Sequence, residues 1–255
     1  MEKSKKLNIL ITNDDGYFSA GIRALAKELS KKHNIKIVAP DREQSASSHS
    51  LTLNHPLRIT KKDTNWYTTD GTPTDCVMLA MHLLYNGKKP DMIVSGINHG
   101  ANMGDDVTYS GTIAAAIEGS ILQIPSIAVS MANYEPGINM DRAAKFVSKI
   151  INVFDSFNLT TNTFLNINVP ADNGKAYKKY FFTELGFRQY KDVVIHKTDP
   201  RGKSYYWIGG RPKWKMTKGS DFEAVHNGIV SITPLSLNFT DTKKLKELQT
   251  IKIKL

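Results

Sequence analysis

The chain has 255 residues, with 34 Lys and Arg against 24 Asp and Glu, a formal charge of +10. Hydrophobic residues at 40% and charged residues at 23% exclude general disorder, and the length allows one large domain or two small ones. A single cysteine, Cys76, excludes an internal disulfide framework and a cysteine-based zinc cluster, while no apolar run approaches the roughly 20 residues that cross a bilayer, so a cytoplasmic protein with no membrane partner is expected.

The apolar run at 8–12 (NILIT) predicts a fully buried strand, and 21–32 a helix with Ile22, Leu25, Ala26 and Leu29 on one face. A strand at 35–39 is closed by Pro40. A helix at 74–85, a strand at 91–95, a helix at 112–122 and a strand at 126–130 continue the alternation, and a helix near 141–154 with a strand at 163–169 completes it. Apolar strands alternating with helices predict an α/β fold, a Rossmann-like doubly wound, mostly parallel sheet covered on both faces. After Pro170 the pattern changes to aromatic, glycine-broken segments, with Gly174, Gly186, Gly202, Gly209, Gly210 and Gly219, as expected for hairpins. A strand at 229–233 and a short basic helix from about 241 follow, so the expected division is a catalytic domain over 1–170 and a smaller β-rich region over 171–255.

Ligands of open α/β sheets bind beyond the carboxyl ends of the strands. Three strands deliver oxygen atoms there: Asn13-Asp14-Asp15-Gly16 after the first, Asp41-Arg42-Glu43-Gln44-Ser45 after the second, and Gly96-Ile97-Asn98-His99-Gly100 after the strand that begins at Asp91. Adjacent carboxylates repel, and a shared cation is the simplest remedy. An all-oxygen set without cysteine favours Mg or Mn over Zn or Cu. Helix capping is the competing explanation for an isolated Asp-Asp; it is the convergence of three loops that favours metal. Beyond Asn98, Tyr109-Ser110-Gly111-Thr112 opens an Ala-rich helix whose free amides and hydroxyls suit phosphate, and Ser110 would cap that helix in either case. Asp75, in Thr72-Pro73-Thr74-Asp75, reads as a capping carboxylate, Cys76 as core, and Asp105 and Asp106 as supporting or solvated groups. His49 and His99 are the histidines nearest the expected site, each with a general-acid or a structural role open to it. No Walker loop, nucleophile elbow or dinucleotide fingerprint is present.

The charge is concentrated. Residues 175–218 hold twelve Lys and Arg, three acids and ten of the 23 aromatic residues, leaving the rest of the chain near neutral. Such interleaving can bind single-stranded nucleic acid, which is the alternative function considered for this chain. No recognised nucleic-acid motif lies there, so a hairpin with aromatics packed across its strands and lysines on its edges is preferred.

At these loops the sequence resembles the SurE family, the stationary-phase survival proteins that act as metal-dependent 5'/3'-nucleotidases. The likeness is carried by Thr12-Asn13-Asp14-Asp15-Gly16, Ala39-Pro40-Asp41-Arg42 through Ser45 to His49-Ser50, Gly71-Thr72-Pro73-Thr74-Asp75-Cys76-Val77, Val94-Ser95-Gly96-Ile97-Asn98-His99-Gly100, Asn102-Met103-Gly104 and Ser110-Gly111-Thr112. It continues through Asn166-Ile167-Asn168-Val169-Pro170 and Ser231-Ile232-Thr233-Pro234 and fades over 175–218. The resemblance implies one divalent metal ion per subunit, Mg or Mn, held by Asp14, Asp15, Ser45 and Asn98. Phosphate would lie near Ser110, Gly111 and Thr112, with Asn13 and Arg42 as further substrate contacts and Asp14 and Asp15 as the catalytic pair. It also implies nucleoside monophosphate substrates, some trimming of short polyphosphate, a protruding C-terminal hairpin and self-association as a dimer or tetramer.

Overall fold

Four of the five residues of the first strand, β1 (Asn8–Thr12), are buried in succession, as in a strand covered on both faces. The computed structural model describes residues 5–86, 88–135, 137–171, 177–189, 194–208 and 213–251. After β1 come α1 (Ala20–Leu29), β2 (Asn34–Pro40), β3 (Ile59–Asp63), β4 (Trp66–Thr69), α2 (Pro73–Leu83), β5 (Met92–His99), α3 (Gly111–Ile121), β6 (Ser126–Ala132), α4 (Asp141–Val153) and β7 (Thr163–Pro170). They are followed by β8 (Tyr180–Phe182), β9 (Phe187–Gln189), β10 (Val194–Thr198), β11 (Ser204–Ile208), β12 (Lys213–Lys215), α5 (Asp221–His226), β13 (Val230–Ser236) and α6 (Thr242–Leu248).

Among the described residues the main sheet has nine strands in the order β3-β4-β2-β1-β5-β6-β7-β13-β8. From β4 to β7 every pairing is parallel. β3 closes one edge antiparallel to β4, and β13 runs antiparallel to β7 and carries β8 alongside it. Side chains leave a strand on alternate faces, and β1 shows the result. Ile9 and Ile11 pack with Ile22, Leu25 and Leu29 of α1 and Val147 and Ile150 of α4. Leu10, with Val38 and Ile93, meets Val77 and Ala80 of α2 and Ala115 of α3. Each such aliphatic side chain contributes about 1.5–3 kcal/mol by leaving water.

The expected α/β architecture is therefore present, with three differences from the pattern read in the sequence. The hairpin of β3 and β4 was not foreseen, and neither was α5. The third difference is the length of β5, which continues through Gly96–His99, a stretch read as a loop. There the register slips against β6, from Ser95 opposite Ala128 to Asn98 opposite Ser130, so β5 bulges by one residue. Gly96 makes the bulge feasible, because its φ is +131° and a Cβ there would lie 2.3 Å from the Val129 carbonyl oxygen.

Beyond residue 170 the chain divides its strands. β8 and β13 join the main sheet, whereas β10 with β11, and β9 with β12, form separate two-stranded antiparallel sheets. Every residue of β10 and β11 is exposed. Gly174, Gly209, Gly210, Lys175, Lys191 and Arg211, which the sequence reading placed in this region, lie outside the described residues. Among the described residues no helix is long and apolar enough to cross a membrane.

The order β2-β1-β5 contains the point on which the site depends. The connection from β1 leads to β2 on one side, while β5 pairs on the other, with Thr12 opposite Ser95. Strand order reverses here, and a crevice opens beyond the carboxyl ends of β1 and β5.

Candidate active site

The loop after β1 is held in shape from within. Asn13 is fully buried and donates from its amide to the Gly16 carbonyl at 3.0 Å and to Ser19 Oγ at 2.7 Å. Gly16, at φ +89°, brings its Cα against the Arg42 carbonyl, where a Cβ would be 3.1–3.2 Å from the carbonyl atoms. The loop after β2 is thereby drawn to the loop after β1, and Gln44 N–H donates to the Asp14 carbonyl at 2.8 Å.

Asp14 is buried and accepts a short hydrogen bond from Thr112 Oγ1 at the start of α3. Burial pushes its carboxyl well above the usual range, and the amides of Thr112 and Gly111 act in the opposite direction. Gly111 allows this approach, since a Cβ there would lie 2.8 Å from Asp14 Cβ and 2.7 Å from Ser47 Oγ. Asp15 turns the other way and accepts from the backbone N–H of His99 at 2.9 Å. Burial, and then the neighbouring charge of Asp14, push its carboxyl up to about 6. Among the described residues neither carboxylate has a Lys or Arg ion-pair partner.

The bulge in β5 places Asn98 next to His99, whose N–H reaches Asp15. The Asn98 amide nitrogen donates to the Gly100 carbonyl at 2.9 Å, which leaves its carbonyl oxygen as an acceptor. Ser45 is exposed and its hydroxyl donates to Glu43, and Arg42 is exposed on the same loop. Ser110 caps α3, accepting from Ile113 N–H at 3.2 Å, and is nearly enclosed. A cleft of about 320 Å³, lined by Asp15, Ser19, Gly21, His99, Ile138 and Met140, opens on Asp15.

Among the described residues no three His, Cys, Asp or Glu side chains gather to hold a metal, so a cation here would draw on neutral oxygens as well as on Asp14 and Asp15. The donor set fits a hard cation. Two under-compensated carboxylates, a free Asn98 carbonyl oxygen and a serine on a loop tied to Asp14 are all oxygen donors.

The remaining sequence candidates have structural partners. Asp75 forms a capping box with Thr72, and Cys76 is fully buried. His99 Nε2 meets the Glu135 carbonyl at 2.9 Å. Asp106 pairs with Arg188. His49 Nε2 lies 2.9 Å from Glu118 Oε2, a buried carboxylate of α3 that sequence reasoning missed. Its only signal was a lone acid on an Ala-rich helix.

Comparison with known proteins agrees with this geometry over nearly the whole chain. The family described as Survival protein SurE matches residues 9–192. The 5'-nucleotidase SurE of Geotalea uraniireducens is 46% identical over 244 residues, covering 95% of this chain and 98% of that protein. The 5'-nucleotidase SurE of Pelobacter propionicus is 47% identical over 245 residues, covering 96% and 99%. A crystal structure of the SurE protein from Aquifex aeolicus matches with a TM-score of 0.84 at 41% identity, covering 95% of this chain and 98% of that one. With its motif loops assembled around one crevice and its relatives matched end to end, this chain belongs to the SurE family.

Proposed function

We propose that this chain is a divalent-metal-dependent phosphomonoesterase that removes phosphate from nucleoside monophosphates. It would act as a 5'-nucleotidase, with 3'-nucleotides and short polyphosphate as further substrates. The observation that supports this best is that Asp14 meets the start of α3 while Asp15 meets the end of β5, at the crevice between β1 and β5. The names of the curated relatives point the same way.

One Mg or Mn ion per subunit would be held by Asp14, Asp15, Asn98 and Ser45, the serine turning its hydroxyl away from Glu43. When bound, such an ion lowers the pKa of a coordinated water and neutralises phosphoryl charge. The chain's own residues do the rest. The start of α3 offers an anion its dipole, its Gly111 and Thr112 amides being turned to Asp14, and Ser110, which uses its oxygen as an acceptor toward Ile113, keeps its hydroxyl proton for a phosphate oxygen. Asp14 or Asp15 accepts the proton that an attacking water loses, through a carboxylate oxygen that does not hold the ion. Asn13 supports the loop from behind, and Arg42 lies exposed at the mouth. The exposed hairpin of β10 and β11 serves self-association as a dimer or tetramer.

The test is phosphate release from 5'-AMP and 5'-GMP with Mg or Mn. Asp14→Asn should lower the rate by on the order of 10²–10³-fold, the scale seen when one electrostatic partner of a transition state is lost. Full activity in that variant would overturn the assignment.

A further inference from the structure

We infer that an apolar pocket beside the metal loops receives the nucleobase of the substrate, with Tyr134 as its stacking surface. The inference rests on the nucleotidase reading and extends it to the part of the substrate that does not react.

The pocket has a volume of about 280 Å³ and lies where the segments after β5 and β6 meet the C-terminal region. Met103, Tyr134, Trp214, Met216, Val225 and His226 line it, over a floor of alanines at 101, 132 and 171. Its position suits a nucleoside. Ala101 follows Asn98 by three residues, a span of at most about 11 Å, so a phosphate near the metal loop and a ring in this pocket are one nucleotide's length apart. Tyr134 stands against the loop that joins them, because a Cβ at Gly100 would touch the tyrosine ring at 2.6 Å. Gly100 thus lets that ring approach the ligand loop closely.

The chemistry suits a neutral planar group. Among the described residues no Lys or Arg lines the pocket, which disfavours a second phosphate. Trp214 is already engaged by Phe222, at 4.2 Å between centroids, and by Arg188 at 4.9 Å, so it serves as a fixed edge. Tyr134, by contrast, is 67% exposed and keeps ring surface for stacking, and Met216, 49% exposed, can adapt to the opposite face. His226 is exposed at the rim and offers the base edge one donor or acceptor. Among the described residues the cleft that opens on Asp15 has no aromatic lining, and it suits the phosphoryl end instead.

Two measurements test this. The first is the ratio of kcat/KM for 5'-AMP to that for ribose 5-phosphate. Tyr134→Ala should lower the ratio about tenfold, the scale of one lost base–aromatic stack, and Tyr134→Phe should restore it. The second is calorimetric binding of adenosine, which needs no turnover. Tyr134→Ala should weaken it about tenfold, and His226→Ala should weaken it by a smaller factor. An unchanged ratio together with unchanged adenosine binding would overturn the inference, as would equal losses for both phosphate esters. If the wild-type chain hydrolyses neither ester, the nucleotidase reading fails, while adenosine binding that depends on Tyr134 would still support the pocket and binding independent of it would sink it. Because Tyr134 lies at the surface, an unfolded variant is not expected, and Tyr134→Phe covers that case.

Discussion

A methyl group at Gly111 would stand 2.8 Å from Asp14 Cβ and 2.7 Å from Ser47 Oγ. Gly111→Ala should therefore push the start of α3 off the β1 loop, costing about 1–3 kcal/mol as overpacking does. Urea unfolding and phosphate release should both register it, with activity falling at least as far as in any change at the rim. A second expectation concerns pH. The Asp15 carboxyl is raised from 3.8 to about 6, by burial first and the Asp14 charge second. Its neutral form is the one the fold favours, so its contribution to stability is fully present below pH 3.8 and is lost as pH rises through 6. Melting of the metal-free chain should show a decline between about pH 4 and 6 that shrinks in Asp15→Asn, and added Mg or Mn should raise the melting temperature more at pH 7.5 than at pH 5.5. The two aspartates were legible in the sequence because repulsion between neighbours on a tight loop is a local property. The support that Asn13 gives its own loop was not legible, since it depends on the turn at Gly16. Nor was the His49–Glu118 contact, which joins residues 69 apart.

At the scale of elements, the start of α2 shows how a local signal acquires a distant role. Thr-Pro-Thr-Asp announced a cap, and Asp75 accepts from Thr72 N–H at 2.8 Å. It also accepts from the Thr52 hydroxyl at 2.6 Å and from Thr52 N–H at 3.1 Å, tying the chain after His49 to the helix. Asp75→Ala should thus cost more than a capping residue's usual 0.5–2 kcal/mol, about 2–3 kcal/mol, because three half-buried donors lose one acceptor. A urea titration compared with Thr72→Ala would separate the two contributions. Elements with little buried surface left little trace in the sequence. β3 is almost wholly exposed, so no alternation marked it, and α5 has only six residues. The extension of β5 was hidden for a different reason: Gly-Ile-Asn-His-Gly has loop composition, and only pairing with β6 makes it a strand.

For the whole molecule, the sequence carried the mostly parallel character of the sheet through its strand–helix rhythm, though not the strand order. It carried the strand of β13 as well, though not its antiparallel place between β7 and β8, because a return across some sixty residues leaves no periodic signature. The charge census located a basic, aromatic segment whose described part includes a hairpin with Ile195, Tyr206, Trp207 and Ile208 all at the surface. Exposed apolar patches of this kind mark association surfaces. Replacing Ile195, Trp207 and Ile208 with serine should shift the protein to monomer in light scattering while barely moving the melting temperature of the main sheet. Tight single-stranded RNA binding that is strongly salt-dependent and lost on neutralising Lys197 and Lys203 would instead favour the nucleic-acid reading. The lone cysteine gives such experiments a practical advantage. Cys76 is fully enclosed between α2 and the sheet, and burial pushes its thiol far from ionisation. A cysteine introduced on the exposed hairpin, at Ser204 for instance, would be the one group in the folded chain to take a thiol-reactive dye, so assembly could be followed by fluorescence in an otherwise native background.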